Sequence, residues 1–489
     1  MKNERTQNLI RLGIVAGAVL LGLLIGQLTG SLDTVLTILK GLALFLIGIT
    51  ILVVVHELGH FLTAKAFGMR VEVFSVGFPP KVFSMKRGDT EYQVGATPLG
   101  GYVKISGMID ESMDTGYLAQ APQPWEFRSK PVWQRMIVMC GGVVMNVILG
   151  ILIFTGMKLA FNDIRIPVSE AKYGIEVISS VPSLGSLIGF RTGDTLVSFM
   201  GKSFPYFEEY TRQENLLKDG AYYEVRRAGQ LTRIDIPGDV QNLFSVDSIE
   251  PTLFVPDIPA VIRVDEPGAE SSGPAAPAYV AGLRTGDRII RIDTVPVFLF
   301  SELRTYMAGK RSQQIGITYL RQGDTLQTVV QSNDKAQLGV RPGIAQAIRL
   351  DTVEYGLLGA IGAGTREAFG FVSANAQGLS NLTRPGVDAS KSVMGPLQIV
   401  KVYLEAFTAG GVVSFLRLTA ILSMILAFVN ILPIPALDGG HLVFLLIEAV
   451  TRREPSVRVR MIAQQVGFFL ILGLMLLVFF NDALRLIVN

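Results

Sequence analysis

Long apolar segments constrain this chain more than any other feature of its sequence. A transmembrane helix needs ~20 apolar residues, and five stretches reach or approach that length. They cover about residues 12–28, 35–64, 137–159, 412–432 and 466–480. Only 17% of the 489 residues are charged, whereas soluble domains have roughly 25%. The sequence therefore predicts a polytopic α-helical membrane protein with about five transmembrane helices.

The first apolar segment is open to two interpretations. Lys2, Arg5 and Arg11 precede its apolar core, as in a secretory signal peptide. No clear small-residue cleavage site follows it, so we expect a retained anchor.

Positive charge predicts the orientation of the spans. Clusters of Lys and Arg lie before the first span, after the second, and between the fourth and fifth, where Arg452 and Arg453 begin the last cluster. Five spans place all three clusters on one side, and cytoplasmic loops are the positive ones. The N-terminus is then cytoplasmic, and the polar block of about residues 162–384 is extracytoplasmic.

The weakly apolar segment Tyr355–Gly378 carries Arg366 and Glu367 at its centre. A span here would move the Arg452 cluster to the outer side. We therefore expect an amphipathic helix that lies on the outer membrane surface.

The extracytoplasmic block contains an internal repeat. The motif Gly-Phe-Arg-Thr-Gly-Asp at 189–194 recurs as Gly-Leu-Arg-Thr-Gly-Asp at 282–287. Each copy precedes a predicted strand, at 195–199 or 288–292, and a later hairpin turn. The pattern resembles PDZ domains and predicts two tandem copies, joined by a linker at 266–277 that is rich in Gly, Pro and small residues. The alternative is a pair of β-rich spacers without a ligand groove.

A second β-rich region follows the second span. Residues 71–78 and 91–105 alternate in polarity and include turn-forming Gly and Pro, which predicts a cytoplasmic-side β-hairpin. Its edge could hold an extended substrate segment by strand addition. A hairpin without a substrate role is the alternative.

Some classes of site and partner find no support in the sequence. The single cysteine, Cys140, excludes a disulfide framework and a multi-cysteine zinc site. The net charge of +3 and the lack of a long basic run give no reason to expect a nucleic-acid partner.

The sequence His56-Glu57-Leu58-Gly59-His60 lies in the second span. Residues four apart share a helical face, so both imidazoles can bind one zinc ion while Glu57 acts as general base. Ionisable side chains inside a membrane segment are costly and mark functional sites. A purely structural polar cluster is the alternative.

A catalytic zinc site needs a third protein ligand, and Asp438 is the best candidate. It follows two prolines and precedes Gly439 and Gly440, so that the backbone of a span is broken there. Irregular backbone at membrane depth must line a cavity or be buried in protein. Alternatively, Asp438 caps the next helix. His441 is a rival ligand, but we expect it to support the site from outside the ligand set.

The pair of motifs H-E-x-x-H and N-x-x-P-x-P-x-L-D-G-G resembles the site-two protease family of intramembrane zinc metalloproteases. The resemblance covers roughly residues 35–489 and implies one catalytic Zn²⁺ bound by His56, His60 and Asp438, with Glu57 catalytic. It also implies that Asn430 helps to hold the substrate helix or the transition state.

One family motif is only partly present. Members usually carry G-P-x-x-N on the span after the hairpin, and this chain keeps Asn146 but has no proline in the motif. A substrate-binding or supporting role for Asn146 is therefore expected from only part of the family motif. The span before residue 35 is additional to the family's usual four.

These expectations divide the chain into nine regions. They are an additional N-terminal anchor (1–33), the HExxH helix (34–68), the cytoplasmic-side β-hairpin region (69–132), a transmembrane helix (133–161), the first PDZ domain (165–245), the second PDZ domain (250–345), the amphipathic helix region (350–395), the transmembrane region with the LDG motif (410–450) and a C-terminal transmembrane helix (460–489).

The resemblance implies cleavage of single-span membrane proteins in a bacterial inner membrane, after an earlier external cut. Its substrate classes are anti-sigma factors and remnant signal peptides, and the PDZ domains would bind peptide C-termini or filter substrates by size. One alternative is a non-catalytic scaffold stapled by zinc. Another is a serine protease that uses Ser423, which leaves Glu57 and Asp438 without roles.

Overall fold

The structure is a computed structural model that describes residues 32–108, 121–178, 182–244, 252–264, 276–388 and 394–488. The predicted first apolar segment lies outside the described residues. The chain divides into two compact units. The first comprises Met1–Ala160, Gly356–Asn375 and Val393–Asn489, and the second comprises Phe161–Tyr355 and Ala376–Ser392.

Helices dominate the first unit, and shorter ones occur in the second. In chain order they are α1 (Leu32–Ala66), α2 (Val132–Ala160), α3 (Leu184–Ile188), α4 (Phe207–Tyr210), α5 (Gln213–Leu216), α6 (Pro277–Val280), α7 (Phe300–Met307), α8 (Ile344–Ala347), α9 (Leu357–Asn381), α10 (Pro396–Ile431), α11 (Asp438–Thr451) and α12 (Val457–Val488).

The strand pairs are antiparallel, except that residues 73–76 of β1 run alongside residues 91–94 of β2 in the same direction. The strands are β1 (Val71–Arg87), β2 (Thr90–Ile105), β3 (Asp163–Arg165), β4 (Ile175–Glu176), β5 (Thr195–Phe199), β6 (Tyr222–Arg227), β7 (Gln230–Asp235), β8 (Val255–Pro256), β9 (Ile262–Val264), β10 (Arg288–Ile292), β11 (Val295–Pro296), β12 (Gln314–Arg321), β13 (Asp324–Gln331), β14 (Val340–Pro342) and β15 (Asp351–Val353). The sheets have the orders β1-β2, β5-β6-β7, β11-β10-β12-β13, β14-β9, β15-β3 and β4-β8.

Four helices in the described part of the chain are long and apolar enough to cross a membrane. They are α1, α2, α10 and α12, and they correspond to four of the five predicted spans. The chain is therefore a multi-pass membrane protein.

The fourth predicted span corresponds to the second of two helical stretches in α10. Its predicted start at residue 412 directly follows a break that separates this stretch from the one that begins at Pro396. The backbone leaves helical geometry at Gly410 and Gly411, where φ is −147° and +57°. Hydropathy identified only the apolar part that follows this break.

The predicted β-hairpin region is present, and its sheet is larger than a single hairpin. Residues 71–76 of β1 pair with residues 101–105 of β2, residues 73–76 pair also with residues 91–94, and residues 81–87 pair with residues 90–95. The apolar base of this region contributes Val71 and Ile105 to a core with Met139 of α2 and Leu442 of α11. The hairpin is thereby anchored to the helices of the first unit.

The second unit contains two β-rich cores. We call them the first lobe, with core residues from Ala171 to Phe254, and the second lobe, with core residues from Ile258 to Leu338. Only residues 255–257 separate the two cores. The predicted linker lies outside the described residues except for residues 276 and 277. Its flanking residues, Val264 and Ala278, both belong to the second core, so this stretch does not join the lobes.

The sequence repeat corresponds to a repeated ion pair. In the first lobe, Arg227 donates to both carboxylate oxygens of Asp194 and to the Gly189 carbonyl, all at 2.7–2.8 Å. In the second lobe, Arg321 makes the same three bonds to Asp287 and Gly282, also at 2.7–2.8 Å. The buried aspartate thus ties the motif loop to the last residue of the central strand in each lobe.

Helix α9 forms where the amphipathic helix was predicted. Its Phe371 stacks on Phe154 of α2, with ring centroids 5.7 Å apart. Glu367, at the centre of the segment, lies 2.9 Å from Lys158 Nζ and 3.0 Å from Arg417. The central charge therefore pairs with neighbouring helices, while the position of α9 on a membrane surface stays a prediction.

Candidate metal centre

The H-E-x-x-H sequence lies in α1, where that helix packs closely on α2. Gly59 of α1 and Gly141 of α2 face each other, and a Cβ on either would overlap the backbone of the other. Small residues permit such close approach of helices. The contact brings the backbone of α2 beside the two histidines.

Asp438 approaches from α11. Asp438 is the first residue of this helix, and Leu437, which precedes it, is the N-cap residue. No side-chain hydrogen bond caps the helix at Leu437. Asp438 is thus within the first turn, which excludes the alternative that it serves as the N-cap. Ala436, just before it, has a φ of +77°, consistent with the predicted break in the helix.

The side chains of His56, His60 and Asp438 converge on one point. The two Nε2 atoms lie 3.2 Å apart. Oδ2 of Asp438 lies 3.2 Å from Nε2 of His56 and 3.3 Å from Nε2 of His60. In the described part of the chain, these three residues form a group able to hold a metal ion.

This triangle fits a zinc ion. Zinc bonds of about 2.0–2.1 Å in tetrahedral geometry separate two ligand atoms by about 3.3 Å. Oδ2 of Asp438 is buried and has no hydrogen-bond donor among the described residues. Protons on both Nε2 atoms would point at each other across 3.2 Å. A cation at the centre instead gives all three lone pairs a partner.

Groups on α2 contact the far side of each imidazole. Nδ1 of His60 lies 2.8 Å from the Val138 carbonyl oxygen. Nδ1 of His56 lies 3.2 Å from the side-chain amide of Asn146, which is fully buried. The Ser423 hydroxyl of α10 donates a hydrogen bond to the backbone carbonyl oxygen of Asn146 at 2.8 Å. Ser423 is therefore occupied in holding α10 to α2.

The three residues open onto a cavity of about 720 Å³. The other predicted site residues Glu57, Asn430 and His441 also line it, and so does Gln464 of α12. Strand β2 forms one wall, where a Cβ on Gly101 would lie 3.3 Å from Cγ of Glu57. The structure thus brings every predicted site residue to this cavity or, for Asn146, to its histidine.

Sequence reasoning missed three contributors to the site. The Val138 carbonyl and Gln464 carry no motif that would have identified them. Gly142 does precede Asn146 by four residues, as the glycine of the family motif does. Its role became visible only through packing, since a Cβ there would lie 2.5 Å from Nε2 of His60.

Comparisons with known proteins agree with this geometry. Residues 44–474 match the model of Peptidase family M50. A putative zinc metalloprotease of Xylella fastidiosa is 28% identical, over 90% of this chain and 97% of the relative. The regulator of sigma-E protease RseP is 29% identical in Salmonella typhimurium and in Escherichia coli, over 92% of this chain and 100% of each relative. Because the family match covers most of its length, the chain belongs to peptidase family M50, the site-two protease family, and is a zinc metalloprotease.

Proposed function

We propose that this enzyme cleaves single-span membrane proteins within or near the bilayer, with His56, His60 and Asp438 as zinc ligands and Glu57 as general base. The observation that carries the proposal is the triangle of two imidazole nitrogens and one carboxylate oxygen, with edges of 3.2–3.3 Å. A carboxylate beside it, from Glu57, lines the same cavity. A zinc site that is only structural does not need that fourth group.

Zinc supplies Lewis acidity: it lowers the pKa of water toward ~7 and polarises a carbonyl. Glu57 then accepts the proton that the attacking water loses. After attack on the peptide carbonyl, the protonated Glu57 returns that proton to the leaving amine nitrogen. Asn430 lines the cavity and can donate an amide hydrogen bond to the substrate.

The α2 contacts determine how the histidines present their nitrogens. A carbonyl can only accept a hydrogen bond, so Nδ1 of His60 carries a hydrogen and donates to the Val138 carbonyl oxygen, and Nε2 keeps its lone pair for the metal. For His56 to do the same, the oxygen of the Asn146 amide must face Nδ1. We therefore assign the amide with its oxygen toward His56.

Strand β2 is the proposed docking edge for substrate. Gly100, Gly101 and Tyr102 line the cavity beside Glu57. A substrate helix must unwind before its peptide bond can reach a general base, and strand addition would supply partners for the exposed backbone groups.

Substrate class and orientation rest on the relatives and on charge. Two relatives are named regulator of sigma-E protease RseP, which favours a role in regulated proteolysis of anti-sigma-factor-like proteins, with remnant signal peptides as a second class. The positive clusters favour an inner-membrane location with a cytoplasmic N-terminus. The metal centre would then lie toward the cytoplasmic half of the membrane, and the two lobes would be extracytoplasmic.

The two lobes are proposed to be PDZ-like domains that bind peptide C-termini or limit substrate size. In support, both lobes contain the six-residue motif Gly-x-Arg-Thr-Gly-Asp, and in both it is tied by the same arginine–aspartate pair. The second lobe also has a cavity beside α7.

A Glu57→Gln variant reconstituted in liposomes with a model single-span substrate tests the mechanism. We expect one zinc ion per chain to be retained and cleavage to be lost. Cleavage by this variant would contradict the assignment of Glu57. A chelator separates the alternatives, since a serine protease would continue to cleave, and a zinc-stapled scaffold would cleave neither before nor after chelation.

A further inference from the structure

Helix α12 carries a buried amide in its apolar part. Between residues 461 and 480 the polar side chains of this helix are those of Gln464 and Gln465. Gln465 is exposed, whereas Gln464 is only 6% exposed. Polar side chains that face the interior of a membrane protein are costly and mark functional positions. The amide of Gln464 therefore needs a hydrogen-bonding partner.

Close packing of α12 directs Gln464 toward the metal centre. Gly467, one turn after Gln464, lies against the loop that precedes Asp438, and a Cβ on Gly467 would overlap the carbonyl group of Pro435. Residues three apart share a helical face, so Gln464 lies on the face of α12 that meets this loop. Its side chain lines the cavity of about 720 Å³ into which Asp438 also projects.

The amide of Gln464 has no protein partner in the described part of the chain. Its side chain makes no hydrogen bond with another described residue, although an amide offers two N–H donors and an acceptor oxygen. A second cavity of about 210 Å³ borders the same side chain, so the amide faces open space. A buried amide without partners is costly, and a ligand that enters the larger cavity would supply them.

Several other polar side chains of this cavity are already engaged. The three metal-binding side chains converge on one point, the hydroxyl of Tyr102 accepts a hydrogen bond from Gln93 at 2.5 Å, and Lys104 lies 3.6 Å from Glu72. The side chain of Asn430, like that of Gln464, makes no hydrogen bond with another described residue. Two amides, one from α10 and one from α12, are thus available to a substrate.

We propose that Gln464 contacts the substrate, with its amide bound to a backbone peptide group of the unwound segment in the cavity. A helix that unwinds at membrane depth leaves N–H and C=O groups without partners, and one amide side chain can both donate to and accept from them. The inference rests on the proposed cleavage of single-span proteins and adds a residue of α12 and the chemical group that it recognises. Because every substrate has a backbone, this contact does not depend on the substrate's side chains.

A Gln464→Met variant tests the contact, because methionine keeps the length of the side chain and removes the amide. We would measure kcat, KM and zinc content for the full chain in liposomes with a model single-span substrate. We expect KM to rise about three- to tenfold, as for the loss of one hydrogen bond to the substrate, with one zinc ion per chain retained. Gln465→Met is the matched control on the same helix and should leave KM unchanged.

Substrates with a single backbone ester near the cleaved bond provide a second measurement. An ester lacks the peptide N–H and has a weaker acceptor carbonyl. At one position the ester should lower kcat/KM of the wild type about three- to tenfold and have little further effect in Gln464→Met, since both changes remove the same contact. A residue that only stabilises the helix would not produce this dependence on the substrate's backbone.

An unchanged KM in zinc-loaded Gln464→Met would overturn the inference, and so would equal ester penalties in both proteins at every position. Loss of zinc from Gln464→Met would also overturn it, because the residue would then support the loop at Pro435. In each of these cases the wild type still cleaves, so the proposed function stands. Absence of cleavage by the wild type would instead overturn the proposed function and this inference with it.

Discussion

A Cβ atom on Gly142 would lie 2.5 Å from Nε2 of His60 and 2.7 Å from Nε2 of His56. The absence of a side chain at this position thus leaves room for the metal between the histidines. The finding links a helix-packing residue to the metal centre, although Gly142 itself has no ligand atom.

We expect Gly142→Ala to remove bound zinc and cleavage together, because the methyl group would displace the imidazoles from the position of the ion. Zinc content and cleavage are measured on the purified chain. Gly156→Ala is the control on the same helix, since a Cβ there meets nothing within 4 Å. A fully zinc-loaded Gly142→Ala protein would refute this account of the site.

The Asn146 amide gives a second prediction. Loss of a group that orients a metal-binding histidine typically costs about 10- to 100-fold in metal affinity. Asn146→Leu should therefore weaken zinc binding by about that factor, as measured by competition with a chelator. Asn375→Leu is the comparison, because the amide of Asn375 bonds only to the Phe371 carbonyl within α9 among the contacts of the described residues. An unchanged zinc affinity in Asn146→Leu would show that His56 is oriented by other groups.

The sequence pointed to the three residues that converge in the candidate metal centre, but not to the groups that support them. His56, His60 and Asp438 were identifiable because motif spacing and a broken helix depend on local chemistry. The Val138 carbonyl was not identifiable, since any residue has a carbonyl and only the packing of α2 on α1 selects this one. The same limit applies to Gly142, whose contribution is the space that it leaves.

The accuracy of the predicted helix and domain boundaries was limited by another cause. Hydropathy placed the start of the fourth span at residue 412, because Lys401 and Glu405 dilute the apolar signal of the first half of α10. In the structure a separate helical stretch runs from Pro396 to the break at Gly410 and Gly411, and the predicted start matches the beginning of the stretch that follows. Composition also suggested a linker at 266–277, whereas the cores are joined by residues 255–257. A Gly- and Pro-rich stretch indicates a loop but does not say which elements it connects.

The repeated ion pair predicts separate effects on the two lobes. Removing one partner of a buried pair costs about 3–5 kcal/mol. Because Arg227 remains 24% exposed, we expect Asp194→Asn to lower the free energy of unfolding of the first lobe by about 2–3 kcal/mol. Hydrogen exchange of the full chain can resolve the effect by segment.

The matched control is the exposed pair of Arg233 and Asp235 in the same lobe. Surface pairs contribute about 0–1 kcal/mol, so Asp235→Asn should have little effect. Asp287→Asn should reproduce the loss in the second lobe. Equal destabilisation by Asp194→Asn and Asp235→Asn would contradict the expectation that the buried ion pair contributes more to stability than the exposed pair.

Asp257 follows β8 and is only 1% exposed, and this burial, which raises the pKa of its carboxyl, predicts a dependence of stability on pH. The pKa of Asp257 is raised in the folded chain, so the folded state binds the proton more tightly than the unfolded state does. The stability from this group is full below the unfolded pKa of about 3.9 and is lost as pH rises through the folded pKa. Asp257→Asn should therefore raise the melting temperature near neutral pH and have less effect near pH 5. A benefit that grows as pH falls would contradict this sign.

Asp482 of α12 predicts how the last helix is held to α10. Its Oδ2 accepts from the backbone N–H groups of Leu397 at 3.2 Å and Gln398 at 3.3 Å, which are unpaired donors in the first turn of a helix. A Cβ on Gly395 would overlap the same carboxylate. A carboxylate also interacts favourably with the positive end of the helix dipole. This side chain is therefore an N-terminal cap supplied by a distant helix.

We expect Asp482→Leu to lower the melting temperature of the chain in detergent, because two partly buried N–H groups lose their acceptor at a cost of about 1 kcal/mol each. Asp482→Asn should have a smaller effect, since its amide oxygen can still accept. Gly395→Ala should resemble Asp482→Leu, because its methyl group would displace the carboxylate. Asp33→Asn, at an exposed position in the first turn of α1, is the control. If Gly395→Ala were as stable as the wild type, the cap would not depend on the close approach of these two residues.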